Sequence, residues 1–282
     1  MTNEWPYPGS RWWKFDFHTH TPASMDTPWY KQTPALTPEE WLLKFMEAEI
    51  DCVAITDHNS GAWIDPLKTT YARMEAAARE GNPHPGFRKL HLFPGVELSV
   101  HGGIHMLAIL PTSAGTGDID RLLGAVGYRG VRGDTRDDVT TQSATEVVAE
   151  IVRASGIPIP AHVDCEKGLF GPVSTPGLPE SEGASRPTSD QSVLGGLSGG
   201  RRLSGDANSV RQVVDLGDIV AMEWRSSLPG LAAHDRLRGR WADVLGSDWH
   251  GRRGQPDPGA AYTWVKMATP TTAALQIGRA HV

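Results

Sequence analysis

Short apolar runs alternate with stretches of helical periodicity along most of the chain. Trp12–Phe17 (WWKFDF) is aromatic-rich and predicts a strand ending at His18. Thr37-Pro38-Glu39-Glu40 reads as a helix start, with Thr at the N-cap, Pro at the first helical position and Glu closing a capping box. Trp41, Leu42, Phe45 and Met46 then form an apolar stripe at helical spacing. Cys52–Thr56 predicts a buried strand and Trp63–Glu80 a helix, with Pro66 confined to its first turn. Leu90–Phe93 is a third strand, followed by Pro-Gly and then Glu97, and Ile104–Leu110 is a fourth. A helix over Asp118–Val126 follows, and Ser143–Glu146 is a second capping box opening a helix that Gly156 closes. Strands are then expected at Ile157–Ala161, Ile219–Trp224, Val244–Ser247 and Tyr262–Met267, and helices at Val210–Leu216 and Leu231–Arg238. Strands alternating with helices predict an α/β fold with a parallel sheet, here a barrel.

One stretch breaks this rhythm. Glu166 to Asn208 is rich in Gly, Ser and Pro and has no sustained apolar period, which predicts a flexible insertion beside a site rather than a domain boundary. Residues 1–274 are therefore read as one domain. The 282 residues are 39% hydrophobic, enough for a sizeable core, and no apolar run is long enough to span a membrane. No secretory signal is visible, and two cysteines cannot build a disulfide framework, so a reducing cytoplasm is expected. The formal net charge of −6 disfavours broad nucleic-acid binding through a basic surface. It does not exclude an anionic substrate, because bound cations would dominate the local field.

The informative residues are the eleven histidines and where they fall. His18-Thr19-His20 follows the first strand, and residues two apart on a strand project to one face, where both imidazoles can reach one ion. Thr56-Asp57-His58 follows the buried CVAI run, Gly95-Val96-Glu97 follows the third strand, and His105 opens the fourth. Pro160-Ala161-His162 ends the fifth strand, and Ser247-Asp248-Trp249-His250 gives another pair two residues apart. Each has a bland reading: a helix cap by Asp57 or Asn59 with a solvated His58, a turn with an exposed Glu97, a structural His105. Together they place His, Asp or Glu at six strand ends, and in an α/β barrel strand ends assemble one active face. That is what a polynuclear metal site requires.

This set of motifs, in the order HTH, TDH, GVE, H, AHV and SDWH, resembles the PHP (polymerase and histidinol phosphatase) family of metal-dependent phosphoesterases. The resemblance runs from about Phe15 to Val265 and implies a distorted seven-stranded (β/α) barrel. Carried over residue by residue, it implies the metal ligands His18, His20, His58, Glu97, His105, His162, Asp248 and His250, with Asp26 the candidate for a ninth. His101 is an alternative to His105. The family often has AHP where this chain has AHVD, so Asp164 or Cys165 could adjust the site. The phrases GSRWWKFDFHTHTPAS, AITDHNSGAWID, LFPGVELSV and IPAHVD look like the PHP module that precedes an AAA/SMC-like ATPase in larger proteins. The terminal QIGRAHV is similar to a translated sequencing adapter, so residues 275–282 are read as a truncated or non-native tail beyond which the ATPase would begin.

The chemistry expected of such a site is phosphate-ester hydrolysis by a metal-bridging hydroxide on two to three divalent ions, and the resemblance implies that Glu97 spans two of them. Imidazole favours Zn, Fe or Mn, and the carboxylates keep Mn and Mg in play. Arg225, just past IVAMEW, and Lys167, in the insertion, are candidate cations for substrate phosphate; the planar fork of Arg favours Arg225, whose alternative is an ordinary surface ion pair. Asp57 is read as an acceptor orienting a ligand histidine. Cys52 reads as core, and Trp249 is expected to pack behind the site. The expected substrate is a phosphorylated small molecule or a single-stranded nucleic-acid end. Two competitors remain: a metal-binding module without turnover, regulatory within a larger ATPase, and an amidohydrolase-type barrel, which predicts a bridging lysine and leaves GVE and SDWH unexplained.

Overall fold

The computed structural model describes residues 9–30, 36–134, 139–165, 167–170, 212–225, 240–251 and 257–277. Among the described residues eight strands are present: β1 (Arg11–Asp16), β2 (Cys52–Ile55), β3 (His91–Val100), β4 (Ile104–Ile109), β5 (Ile157–Pro160), β6 (Ala221–Glu223), β7 (Ala242–Val244) and β8 (Thr263–Met267). The helices are α1 (Pro38–Glu47), α2 (Ile64–Arg79), α3 (Thr116–Ala125), α4 (Ala144–Arg153) and α5 (Thr272–Ile277). Both expected capping boxes form. Thr37 Oγ1 accepts the Glu40 N–H at 3.2 Å while the Glu40 carboxylate accepts the Thr37 N–H at 2.8 Å, and Ser143 and Glu146 repeat the exchange. The stripe Trp41, Leu42, Phe45 and Met46 is fully buried, so α1 forms where local capping and tertiary burial agree.

The sheet departs from a parallel barrel. Six strands pair in the order β5-β4-β3-β2-β1-β8, and β6 pairs with β7 in a separate two-stranded sheet. β1–β2, β2–β3 and β6–β7 are parallel, whereas β3–β4, β4–β5 and β1–β8 are antiparallel. The cause for β3–β4 is connection length: only His101–Gly103 separate the two strands, and so short a turn joins antiparallel neighbours only. Among the described residues the sheet curls but no closed barrel forms. Short backbone contacts rather than ladders join the open sides: Val163 N–H meets the Glu223 carbonyl at 2.8 Å, and a parallel bridge between Thr19 and Trp249 has Asp248 N–H on the His18 carbonyl at 2.8 Å and His20 N–H on the Trp249 carbonyl at 3.1 Å.

The third strand also does not end at Phe93. β3 runs unbroken through Pro94 and Gly95, because the strand changes partner there: His91–Pro94 pair with β2 and Gly95–Val100 with β4. Pro94 contributes its carbonyl, which accepts the Leu110 N–H at 2.8 Å. At Gly95 a Cβ would stand 2.8 Å from the Ala108 carbonyl oxygen, so the handover needs a residue without one. Smaller differences are that β7 lies two residues earlier than expected and that α2 has no side-chain cap from Asp57 or Asn59. Of the expected 210–216 helix, residues 212–214 are described and helical. The 231–238 helix, nearly all of the 166–208 insertion and residues 278–282 lie outside the described residues.

Two apolar cores hold the scaffold. Trp13, Phe15, Phe17, Phe93, Leu107, Ile109 and Ile159 fill the concave side of the curl, with Phe15 stacked on Phe17 at 3.9 Å between ring centroids. Trp41, Phe45, Val53, Ile55, Leu67 and Met106 lie between the other sheet face and the helices. Each fully buried side chain of this size contributes about 2–3 kcal/mol of transfer free energy. Cys52 is core, as expected.

His91, at the start of β3, packs edge-on against Trp13 with centroids 5.2 Å apart. Burial, followed by the charges of Lys89 and Arg11, lowers its pKa from 6.5 to about 4. The unfolded chain therefore takes up a proton that the native chain resists. The stability His91 provides is complete above about pH 6.5 and is lost as pH falls toward 4. His91→Gln is expected to flatten the urea-midpoint profile between those limits relative to the parent; parallel profiles would show that His91 does not couple folding to pH.

Candidate metal centre

All nine expected ligands meet at one end of the curled sheet, around Glu97. This residue sits inside β3, where its N–H donates to the Asp57 carbonyl at 3.1 Å and its carbonyl accepts the Asn59 N–H at 2.9 Å. The Glu97 side chain is 1% exposed. Its Oε1 lies 2.6 Å from His105 Nδ1 and 3.0 Å from His162 Nε2, and its Oε2 lies 2.7 Å from His58 Nδ1, 3.2 Å from His18 Nε2 and 3.5 Å from His20 Nε2. Five imidazoles thus surround one carboxylate, which overturns the exposed-turn reading of Glu97 and the solvated reading of His58. His105 is at the amino end of β4, not at a carboxyl end; the antiparallel hairpin brings it to the same face, with Ser99 and His105 in register.

The remaining expected ligands close the rim. Asp26 Oδ2 lies 3.3 Å from His58 Nε2 and 3.0 Å from His250 Nε2. Asp248 Oδ1 lies 3.1 Å from His20 Nε2, 3.4 Å from His18 Nε2 and 3.4 Å from His250 Nδ1. Three groups (His20, His58 and His250; His18, His20 and Asp248; His58, Glu97 and His105) each bring three donor atoms within 4.8 Å of one another, a spacing that can hold a metal ion. His162 and Asp248 sit at positive φ, 30° and 49°, an uncommon backbone state that the surrounding contacts hold in place.

Outer contacts set the tautomers. His18 Nδ1 is 2.8 Å from Glu223 Oε2, and a carboxylate there can only accept, so the ring proton sits on Nδ1 and the Nε2 lone pair faces the cluster. His250 Nδ1 donates to the Asp248 carbonyl at 2.8 Å with the same result. At His20 the chain is longer. Ser24 Oγ gives its single proton to Asp57 Oδ1 at 2.7 Å, so it accepts from His20 Nδ1 at 3.0 Å. Asp57 therefore orients a ligand only through Ser24, a correction to direct contact with a histidine; its other bonds are to the Thr21 N–H and hydroxyl. With these protons fixed, two lone pairs face each other at 3.1 Å between His18 and His20 Nε2, and His20 Nε2 faces Asp248 Oδ1. Facing lone pairs of neutral rings repel unless a proton or a metal ion lies between them; the acids around His18 favour a proton there, and a divalent ion can take this all-nitrogen and oxygen donor set in its place. The cluster fits metal.

The titration pattern has the same cause. Burial opposes charge on His18 and His58, but Glu97 with Glu223 and Asp248 holds His18 well above its ordinary value, and Glu97 with Asp26 raises His58 to about 10. Burial, with the charges of His250 and His58, lowers His20 well below its ordinary value. Despite burial, His58, His105 and His18 hold the Glu97 carboxyl well below the carboxylate range.

Glu223 is the residue that sequence reasoning missed. Fully buried, its Oε2 also accepts the His162 N–H at 2.9 Å, joining the ends of β1, β5 and β6. Gly246 packs so tightly here that a Cβ would lie 2.6 Å from His18 Cβ and 2.9 Å from Glu223 Oε1. The available signal was a lone acid inside the apolar run IVAMEW, costly to bury without a partner. Asp16 was missed for the same reason; its Oδ1 accepts the Ser247 N–H at 2.9 Å.

Arg225 lies at the rim, but it is engaged: Nη1 donates to the Ser247 carbonyl at 2.9 Å and lies 3.4 Å from Asp248 Oδ2. Lys167 meets the site through its backbone, its carbonyl accepting the His105 N–H at 2.8 Å. His101 is exposed on the β3–β4 turn and is not among the ligands. Asp164 accepts the Arg225 N–H at 3.0 Å, outside the cluster, as is Cys165, whose thiol burial pushes up to about 11. Trp249 packs behind the site against Trp29 and Phe45.

Fold and site together define an α/β protein with a histidine–carboxylate cluster at one end of a curled mixed sheet. No model of a known protein family matches the chain, and no curated protein sequence matches it. Among solved structures, the chain is similar in fold to the lesion-specific endonuclease PfuEndoQ from Pyrococcus furiosus, at 13% identity over 94% of this chain and a TM-score of 0.55. It spans 55% of that endonuclease's length. A provisionally assigned metal-dependent phosphoesterase from Bifidobacterium adolescentis matches at 17% identity over 88% of this chain and 92% of its own, with a TM-score of 0.49. A two-domain protein from Bacteroides vulgatus containing a predicted PHP-like metal-dependent phosphoesterase matches at 13% identity over 96% of this chain and 63% of its own, with a TM-score of 0.47.

If Glu223 orients His18, Glu223→Gln is expected to weaken divalent-ion affinity about 10- to 100-fold with little loss of thermal stability. Competition against a chelating dye measures this. Unchanged affinity would leave Glu223 a packing residue only.

Proposed function

We propose that the chain is a metal-dependent phosphoesterase of the PHP type, hydrolysing a phosphomonoester or a nucleic-acid phosphodiester. The observation that carries this reading is Glu97: one buried carboxylate whose two oxygens face separate groups of imidazoles, as a residue shared between ions must. The ligand set His18, His20, Asp26, His58, Glu97, His105, His162, Asp248 and His250 is large enough for two to three divalent ions, with Mn, Zn or Fe suited to the imidazoles. When bound, such ions supply a hydroxide at neutral pH and polarise the phosphoryl oxygens.

The chain's own residues do the rest. Glu97 fixes the spacing of the two imidazole groups. Glu223, the Ser24–Asp57 pair and the Asp248 carbonyl hold the lone pairs of His18, His20 and His250 inward, so no reorientation is needed at the moment of reaction. Arg225 steadies Asp248, and its guanidinium, 24% exposed at the rim, is placed to meet a substrate phosphate. An amidohydrolase reading is disfavoured because a glutamate, not a lysine, occupies the centre of the cluster. The PHP module of a larger ATPase-bearing protein remains part of the proposal on the sequence phrases alone, as do residues 1–274 as one domain and a cytoplasmic setting; no helix among the described residues is long and apolar enough to cross a membrane.

The test is hydrolysis of p-nitrophenyl phosphate and bis(p-nitrophenyl) phosphate by the full chain loaded with Mn or Zn. Turnover is expected to vanish on chelation, return on re-addition of the ion, and fall about 10³-fold in Glu97→Gln without loss of folding. Full metal loading with no turnover of either ester would instead favour a binding module, and turnover undiminished in Glu97→Gln would falsify the assigned centre.

A further inference from the structure

The outer face of the β1–β8 pair carries a pattern that the metal centre does not use. In the antiparallel register Trp12 stands opposite Lys266 and Lys14 opposite Trp264, so indoles and ammonium groups alternate across and along the two strands. Trp12 is 60% and Trp264 54% exposed, and neither belongs to either apolar core. The opposite face of the same pair carries Trp13, Phe15, Val265 and Met267, which are core, so the outward indoles are not needed to hold the sheet. Tyr262 extends the row: its ring lies 5.7 Å from that of Trp264 and 4.3 Å from Lys14 Nζ. Lys14 is anchored by the Ala48 carbonyl at 2.8 Å, whereas Lys266 is exposed, with its ammonium 6.0 Å from the Trp12 ring.

Adjacent solvent-facing tryptophans on a rigid strand pair are a costly surface unless something covers them. Two flat aromatic faces interleaved with cations match one ligand chemistry best: a polymer with a stackable ring and an anion in every repeat. We infer that this face is a platform for single-stranded nucleic acid, with bases stacking on Trp12 and Trp264 and phosphates meeting Lys266 and Lys14. A duplex hides the faces of its bases, so the platform favours unpaired strands. The overall charge of −6 is no obstacle, because the cations are local to the face. Trp12 lies on β1 six residues before His18, which follows the end of that strand, about 20 Å along the chain, so a bound strand can extend from the platform toward the cluster. This inference rests on the phosphoesterase reading for its purpose and narrows the substrate to a nucleic-acid strand, but binding can be measured without turnover.

The experiment uses the full chain and a fluorescein-labelled mixed-sequence DNA strand of about 20 nucleotides, in single-stranded and duplex form. Anisotropy is expected to show tighter binding of the single strand, with quenching of tryptophan emission. Trp12→Ala with Trp264→Ala should weaken it at least about tenfold, and Trp12→Phe with Trp264→Phe should restore most of it. Lys266→Gln should reduce both affinity and its salt dependence. Hydrolysis of bis(p-nitrophenyl) phosphate should be unchanged in all these variants, so loss of binding with intact small-ester turnover supports the platform. Loss of binding in a chain that hydrolyses neither ester keeps the platform and removes the phosphoesterase reading. Equal affinity in the double alanine variant, no binding by the parent, or a parent dimer that the double variant converts to monomer would overturn the platform, the last by making the face a self-interface.

Discussion

A carboxylate buried among five imidazoles is the constraint on which this structure turns. Glu97 cannot be taken out of water alone, and the five imidazoles around it supply the partners that its two oxygens need. Much of the scaffold serves that juxtaposition. The partner change at Pro94 and Gly95 carries β3 onward with Glu97 inside it, and the β3–β4 hairpin turns His105 back to the same face. The Trp41 indole donates to the His20 carbonyl at 3.0 Å, so even the capped helix α1 helps fix a ligand-bearing loop.

The sequence made the clustering of these residues legible because its spacing reflects local geometry. Pairs two residues apart, His18 with His20 and Asp248 with His250, share a face whatever the global topology. Ionisable residues at the ends of CVAI and IPIP are too costly to leave unpaired. Helices α1 and α4 were equally readable, since capping boxes and apolar stripes are properties of single segments. What the sequence concealed is pairing between distant segments. Nothing in LFPGVELSV reveals that the strand passes through Pro94 and Gly95 by changing neighbours, and strand direction across β3–β4–β5 depends on connections rather than on apolar runs. Glu223 and Asp16 were hidden because each looks like an ordinary acid in a strand until its partners, 205 and 231 residues away, are in place.

The orienting contacts differ in kind, with consequences for chemistry. His18 is held by an acid, His20 by a hydroxyl whose proton is committed elsewhere, and His250 by a backbone carbonyl. An acid behind a ring increases its basicity more than a carbonyl does, so three similar imidazoles become unequal donors. Such inequality lets one protein cup treat neighbouring cations differently without changing the residue type that binds them.

The curl is held on one side by continuous ladders and on the other by short backbone bridges, and the open side runs through the cluster itself. His18, His20, His58, Glu97 and His105 ride on the six-stranded sheet, while Asp248 and His250 arrive from beyond β7. The cluster therefore sits astride a seam. A cation held there would act as a rivet, and by linkage any tightening of its binding would add as much to the resistance of the seam to parting.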